Sequence, residues 1–66
     1  MAMPDTGQRE VLFEFTAIGP AVKVVAIDAA TGTEVSVMGP VHASRADLQR
    51  LAVAKLNVRL AAQQRT

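Results

Sequence analysis

Hydrophobic and polar positions alternate along three stretches of the first forty residues. Residues 10–18 (EVLFEFTAI) place Val11, Phe13, Phe15 and Ala17 on one side of an extended chain, and Leu12, Glu14, Thr16 and Ile18 on the other. Residues 22–28 (VKVVAID) are mostly apolar and β-branched, and residues 33–38 (TEVSVM) alternate again. A period of two with this composition is typical of β-strands. The pattern therefore predicts three strands.

Turn-forming residues separate these stretches. Gly19 and Pro20 mark a reversal whose turn type the sequence leaves open. After the second stretch, Asp28 is placed to cap a turn with its side chain, and Gly32 supplies a left-handed position. Residues 39–40 (GP) end the third strand. Short turns between consecutive strands predict an antiparallel meander.

One choice of register sorts all three strands at once. With turns at residues 19–20 and 29–32, apolar side chains meet on one face and a mixed set on the other, as in a half-buried sheet. The rows on the first face are Phe13–Ala26–Val35 and Phe15–Val24–Val37, and those on the second are Leu12–Ile27–Glu34, Glu14–Val25–Ser36 and Thr16–Lys23–Met38.

The remaining sequence predicts one long helix. Ser44 is a good N-cap, Asp47 stands where a capping box has its acidic residue, and residues 45–63 contain no Gly or Pro. Twenty helical residues span about 30 Å, whereas seven strand residues span about 23 Å, so the helix is expected to extend past the sheet. The fold class predicted is α+β, with a three-stranded antiparallel meander followed by a C-terminal helix (βββα).

The apolar residues of this helix form two stripes rather than one. Leu48, Ala52, Val53, Leu56 and Leu60 make the first stripe, and Leu51, Ala54, Val58 and Ala62 make the second. The first stripe is expected to cover the inner sheet face, with Phe13, Phe15, Val24 and Val37 beneath it. The second either widens this contact, with Lys55 and Arg59 along the sheet edge, or meets another chain.

The length limits the organisation of the chain. Its 66 residues form one domain, predicted at residues 10–63 between a disordered tail (residues 1–9) and a frayed end (residues 64–66). A domain this small is marginally stable, and oligomerisation is one common remedy. The polar N-terminal stretch is not a signal peptide, and no apolar run reaches the roughly 20 residues of a membrane span. A soluble, cytoplasmic protein is expected.

Catalytic chemistry finds little support. The chain has no Cys and a single His, His42, so neither a disulfide nor a zinc site is expected. Ser44, near His42, is better explained as a helix cap. Glu14 and Glu34 lie on the outer sheet face beside Lys23, where a solvated ion network explains them. We therefore predict a protein that is not an enzyme and binds no cofactor or metal.

Charge divides the chain into two halves. Residues 1–43 contain two basic and five acidic residues, and residues 44–66 contain five basic residues and one acidic residue. The basic helix is the basis of one alternative function, weak binding of nucleic acid through phosphate contacts. The candidate polyanion contacts are Arg45, Arg50, Lys55 and Arg59. They scatter around the helix, and no aromatic side chain accompanies them.

The prediction we prefer is a non-enzymatic protein-interaction module, working as a homodimer or with another protein. Two apolar surfaces are candidates for the interface. One is the second helix stripe, represented by Leu51, Ala54 and Val58, and the other is the outer sheet face, with Leu12, Val25, Ile27 and Met38.

The run VLFEF…G…VKV.AID..TGTEVSV.GP, followed by LQRLA..KL, resembles a small family of bacterial proteins, mainly from alphaproteobacteria, without an assigned function. The resemblance covers residues 10 to about 60. It implies a fold of this kind and assigns a role to no residue.

Overall fold

The computed structural model describes residues 10–64, which form three strands and a helix. The elements are β1 (Val11–Ile18), β2 (Ala21–Asp28), β3 (Glu34–Pro40) and α1 (Arg45–Gln64). The strands form one antiparallel sheet in the order β1-β2-β3. This confirms the predicted βββα fold. The tail predicted at residues 1–9 and the last two residues lie outside the described residues, and α1 ends one residue beyond the predicted domain boundary.

The predicted register is confirmed in every row. Phe13 lies opposite Ala26, which lies opposite Val35, and the other four rows match equally. The burial follows the same alternation on β1 and β3, and on the central strand Val24 and Ala26 are fully buried beneath the helix. A shift by one residue would have exchanged the two faces, so hydrophobic alternation is what fixes the pairing.

The first turn is a two-residue hairpin loop. Ile18 pairs with Ala21, and Gly19 has a φ of 57°. Pro20 has its φ fixed near −65°, which rules out a type I′ turn because that turn needs positive φ at both central residues. No described peptide bond is cis. A positive φ followed by a proline-compatible φ defines a type II′ turn, which suits the twist of the hairpin.

The second turn is organised by the side chain of Asp28, as predicted. Its Oδ2 accepts hydrogen bonds from the Thr31 N–H at 3.1 Å and from the Thr31 hydroxyl at 2.8 Å. Asp28 itself is fully buried. Gly32 has the expected positive φ of 76°, and its N–H donates to the Asp28 carbonyl at 2.8 Å.

The helix begins after Ser44, which is its N-cap as predicted. Ser44 Oγ accepts from the Asp47 N–H at 3.2 Å. The Asp47 carboxylate forms an ion pair with Arg50. At the other end, the Thr33 hydroxyl donates to Gln63 Oε1 at 3.2 Å. The last helical turn thus contacts the β2–β3 turn, just outside the first residue of β3.

The core lies between the first helix stripe and the inner faces of β2 and β3. Its buried side chains are Val24, Ala26, Val35, Leu48, Ala52, Leu56 and Leu60. The helix contacts β2 and β3 extensively and β1 very little. Phe13 and Phe15, expected beneath the helix, are only half-buried and pack against the margin of the core.

The position of the helix follows from its short connection to β3. Only residues 41–44 separate the two elements, so α1 must start beside the strand that precedes it. Gly39 allows a close approach there, since a Cβ at this position would lie 2.5 Å from Leu48 Cδ2. The consequence is an asymmetric molecule, with β3 covered and β1 left at the open side.

Candidate interaction surfaces

The second helix stripe lies on the side of α1 that faces away from the sheet. Leu51 is 58% exposed and Val58 is 70% exposed, and Ala54 between them is also exposed. A stripe that contacts the sheet would be buried, as Leu56 is. The second stripe therefore takes no part in the core of this chain.

Three of the four candidate polyanion contacts are engaged within the chain. Lys55 Nζ donates to the Ser36 carbonyl at 2.7 Å, and Arg50 pairs with Asp47. The Arg45 guanidinium lies 4.1 Å from the centroid of the Phe15 ring, a cation–π contact. Arg59 is exposed.

The outer sheet face is less open at its centre than at its margins. Val25, on the central strand between Glu14 and Ser36, is only 8% exposed, and Ile27 is half-buried. Leu12 and Met38, on the two outer strands, are exposed. Of this candidate surface, the residues on β1 and β3 are available for contact, whereas Val25 offers very little area.

The two edges of the sheet differ in how far their backbone groups are used. The Asp28 N–H donates to Thr33 O, and the Val41 N–H donates to Pro20 O, so odd-numbered residues on this side of the sheet bond towards β2. The even-numbered residues of β3 therefore direct their N–H and C=O groups outward. Two of these outward carbonyls have partners, since Ser36 O accepts from Lys55 and Pro40 O accepts from the Ala43 N–H at 2.9 Å. Pro40 has no N–H to offer. The β3 edge therefore has two of its outward carbonyls occupied and lacks one N–H.

Among residues 10–64, nothing hydrogen-bonds to the outer side of the β1 backbone. The Ala29 N–H donates to Glu10 O at 3.0 Å, so even-numbered residues bond inward and odd-numbered residues direct their backbone groups outward. The outward residues are Val11, Phe13, Phe15 and Ala17. In the part of the chain that the structure describes, no strand pairs with this side of β1. β1 also contains no Gly, no Pro and only one charged residue, Glu14.

Apolar grooves run beside this open edge, where the helix does not cover β1. The larger has a volume of about 590 Å³ and the smaller about 260 Å³. The larger is lined by Phe13, Ala46, Gln49, Arg50, Val53, Ala54 and Asn57. The smaller is lined by Phe15, Ala17, Val22, Val41, Ala43 and Arg45. An added strand at the β1 edge would therefore have apolar surface next to it.

Neither the open β1 edge nor the contact of Lys55 with the β3 edge was predicted from the sequence. The signal for the edge was present, because a two-residue turn at Gly19–Pro20 makes Ile18 and Ala21 a bonded pair and so fixes which residues point outward. The contact of Lys55 with Ser36 depends on the lateral position of the helix. No periodicity in the sequence reports that position.

The described residues contain no group of three or more His, Cys, Asp or Glu side chains placed to hold a metal ion. Among the same residues, no helix combines the length and the apolar character needed to cross a membrane.

The fold and its surfaces define a small βββα module with one open sheet edge. Residues 8–64 match a family model described as a domain of unknown function (DUF6898), and the chain belongs to that family. No curated protein and no solved structure matches it significantly. The bacterial origin implied by the resemblance stays a prediction.

Proposed function

We propose that this protein is a non-enzymatic protein-interaction module that works as a homodimer. The observation that supports the proposal best is the apolar surface that the single core leaves exposed, which includes Leu12, Ile18 and Met38 on the sheet and Leu51 and Val58 on the helix. Exposed apolar patches of this kind mark interaction sites on small proteins. Burial of more apolar surface would also stabilise a domain of this size.

The alternative, binding of nucleic acid through the basic helix, has no observation in its favour. Lys55 and Arg50 use their charged groups within the chain, and Arg45 lies over Phe15. A phosphate contact would have to compete with each of these. This alternative stays a prediction, as does the cytoplasmic location.

Sedimentation equilibrium across a hundredfold range of concentration tests the proposal. A homodimer has twice the 7.0 kDa mass of the chain. The proposal expects the mass to rise towards this value as concentration rises. A mass of 7.0 kDa at every concentration would refute the homodimer and leave the apolar surfaces to a different protein.

A further inference from the structure

We propose that two copies of the chain associate through β1, edge to edge and antiparallel, to form a continuous six-stranded sheet with both helices on one face. The inference rests on the proposed function, since it names the contact by which the homodimer forms. The first reason is the row of outward backbone groups at residues 11–17, which another strand can satisfy. Adding a strand to an exposed edge is a general mode of association.

The second reason is that the opposite edge is partly occupied. Lys55 occupies the Ser36 carbonyl, and Pro40 lacks an N–H and has its own carbonyl bonded to Ala43. A chain with two equally open edges would add copies without limit. An isologous contact through β1 uses the same surface on both copies, so the pair is twofold and leaves only the partly occupied β3 edges.

Charge argues against the other apolar surfaces as the contact between copies. The second helix stripe is flanked by Arg50, Lys55 and Arg59. Packing it against itself would bring two sets of basic side chains together. The outer sheet face carries Glu14 and Glu34 with one basic residue, Lys23, so self-contact would bring an excess of carboxylates together. β1 itself carries one charged side chain, Glu14.

The side chains of β1 favour one register. With Phe15 opposite its own copy and Phe13 opposite Ala17, three bonded pairs give about six hydrogen bonds between the copies. On the outer face, this register places Leu12 opposite Ile18, two exposed apolar residues. It places Glu14 opposite Thr16. A shift by one residue in each copy would instead set Glu14 against Glu14, which is unfavourable.

A proline at the edge tests the contact without breaking the sheet. Ala17 directs its N–H outward, so Ala17→Pro removes no bond to β2, and proline is tolerated on edge strands. By symmetry the change removes two hydrogen bonds between the copies. We expect a folded protein whose dimer dissociation constant rises roughly 10- to 100-fold. Ala17→Lys, which adds a charge to the edge, is the second variant if the proline prevents folding.

Disulfide trapping tests the register. The chain has no native cysteine, so only the introduced cysteines can form a disulfide. Leu12 and Ile18 of opposite copies form a pair without backbone hydrogen bonds, with Cα atoms about 4.5 Å apart, which a disulfide can bridge. A mixture of Leu12→Cys and Ile18→Cys chains should form a crosslinked heterodimer under mild oxidation. The matched control is a mixture of Leu51→Cys and Val58→Cys chains, for which no crosslink is expected.

The outcomes separate this inference from the proposed function. If Ala17→Pro and Ala17→Lys keep the wild-type dissociation constant while Val58→Glu is monomeric, the copies meet through the helix stripe. The edge contact is then wrong and the homodimer stands. If the wild-type chain is monomeric at all concentrations, both proposals fail. Weakened dimers with the edge variants and an unaffected Val58→Glu dimer support the edge contact.

Discussion

The two outer strands of this sheet have similar lengths but different surroundings. β3 lies beside the helix, with Lys55 bonded to its middle carbonyl and Pro40 at its end. β1 has half-buried phenylalanines, adjacent apolar grooves and a row of outward backbone groups. The difference arises from one connection of four residues, which keeps the helix beside the strand it follows. A short linker thus determines which edge of the sheet is available to a partner.

The different protection of the two sheet edges affects how copies of the chain can assemble. Small proteins commonly protect sheet edges with lysine and proline, because an exposed edge invites further strands. Here a proline ends β3 and the Lys55 side chain reaches its middle carbonyl from α1, whereas β1 has neither feature. This unequal protection of the two edges favours association through β1. The grooves above β1 are the parts of the inner face that such a pairing would bring next to a second chain.

The largest effect is expected in the core beside β3. Leu56 is fully buried, so Leu56→Ala should lower the free energy of unfolding by about 3 kcal/mol, from lost burial and the cavity that remains. Leu51→Ala is the matched control on the opposite side of the same helix and should cost less than about 0.5 kcal/mol. Urea titrations of both variants measure this, and equal losses would contradict the placement of the two stripes.

A smaller loss is expected at the turn that joins β3 to the sheet. Asp28→Ala removes the acceptor for the N–H and hydroxyl of Thr31 and should cost about 2 kcal/mol. Glu34→Ala, an exposed carboxylate at the start of β3, is the control and should change stability little. Thermal unfolding followed by circular dichroism provides the comparison. A neutral Asp28→Ala would show that this carboxylate does not organise the turn.

The close approach of the helix to β3 can be tested at Gly39. Gly39→Ala places a methyl group against Leu48, and relieving that overlap should cost roughly 1 kcal/mol. Ser36→Ala, on the outer face of the same strand, serves as the control. If Gly39→Ala is as stable as the wild type in urea, the helix position does not depend on this contact.

The smallest change in stability, with the most visible change in assembly, is expected at Lys55. Its bond to Ser36 O is exposed, so Lys55→Ala should alter the free energy of unfolding by less than about 1 kcal/mol. The same change frees the Ser36 carbonyl on the β3 edge and should allow assemblies larger than a dimer. Light scattering would show this as a rising weight-average mass. Arg59→Ala, one turn further along the helix, should not. An unchanged mass for Lys55→Ala would mean that another feature limits association.

Much of the fold was predictable because its signals are local. Alternation along residues 10–18 and 33–38 fixed the strands and their faces, Asp28 and Gly32 fixed the second turn, and Ser44 fixed the start of the helix. Each of these depends on neighbouring residues and on a register that one hydrophobic pattern satisfies. The confirmed cross-strand rows are the result.

The lateral position of the helix was not predictable in this way. The sequence placed Phe13 and Phe15 beneath the helix, whereas they lie at its margin because α1 rests on β2 and β3. Helical periodicity shows which face is apolar, but it does not show which strands that face covers. The open β1 edge follows from this placement, so the surface that matters most for the proposal could be recognised only in three dimensions.

Amide hydrogen exchange followed by NMR at two protein concentrations tests the edge contact most directly, because both edges are observed in one sample. The account predicts that the N–H groups of Phe13, Phe15 and Ala17 exchange fast in dilute solution and become protected as concentration rises. The outward N–H groups of Ser36 and Met38 should exchange at rates independent of concentration. Concentration-dependent protection at β3 alone, or at neither edge, would contradict the pairing of two copies through β1.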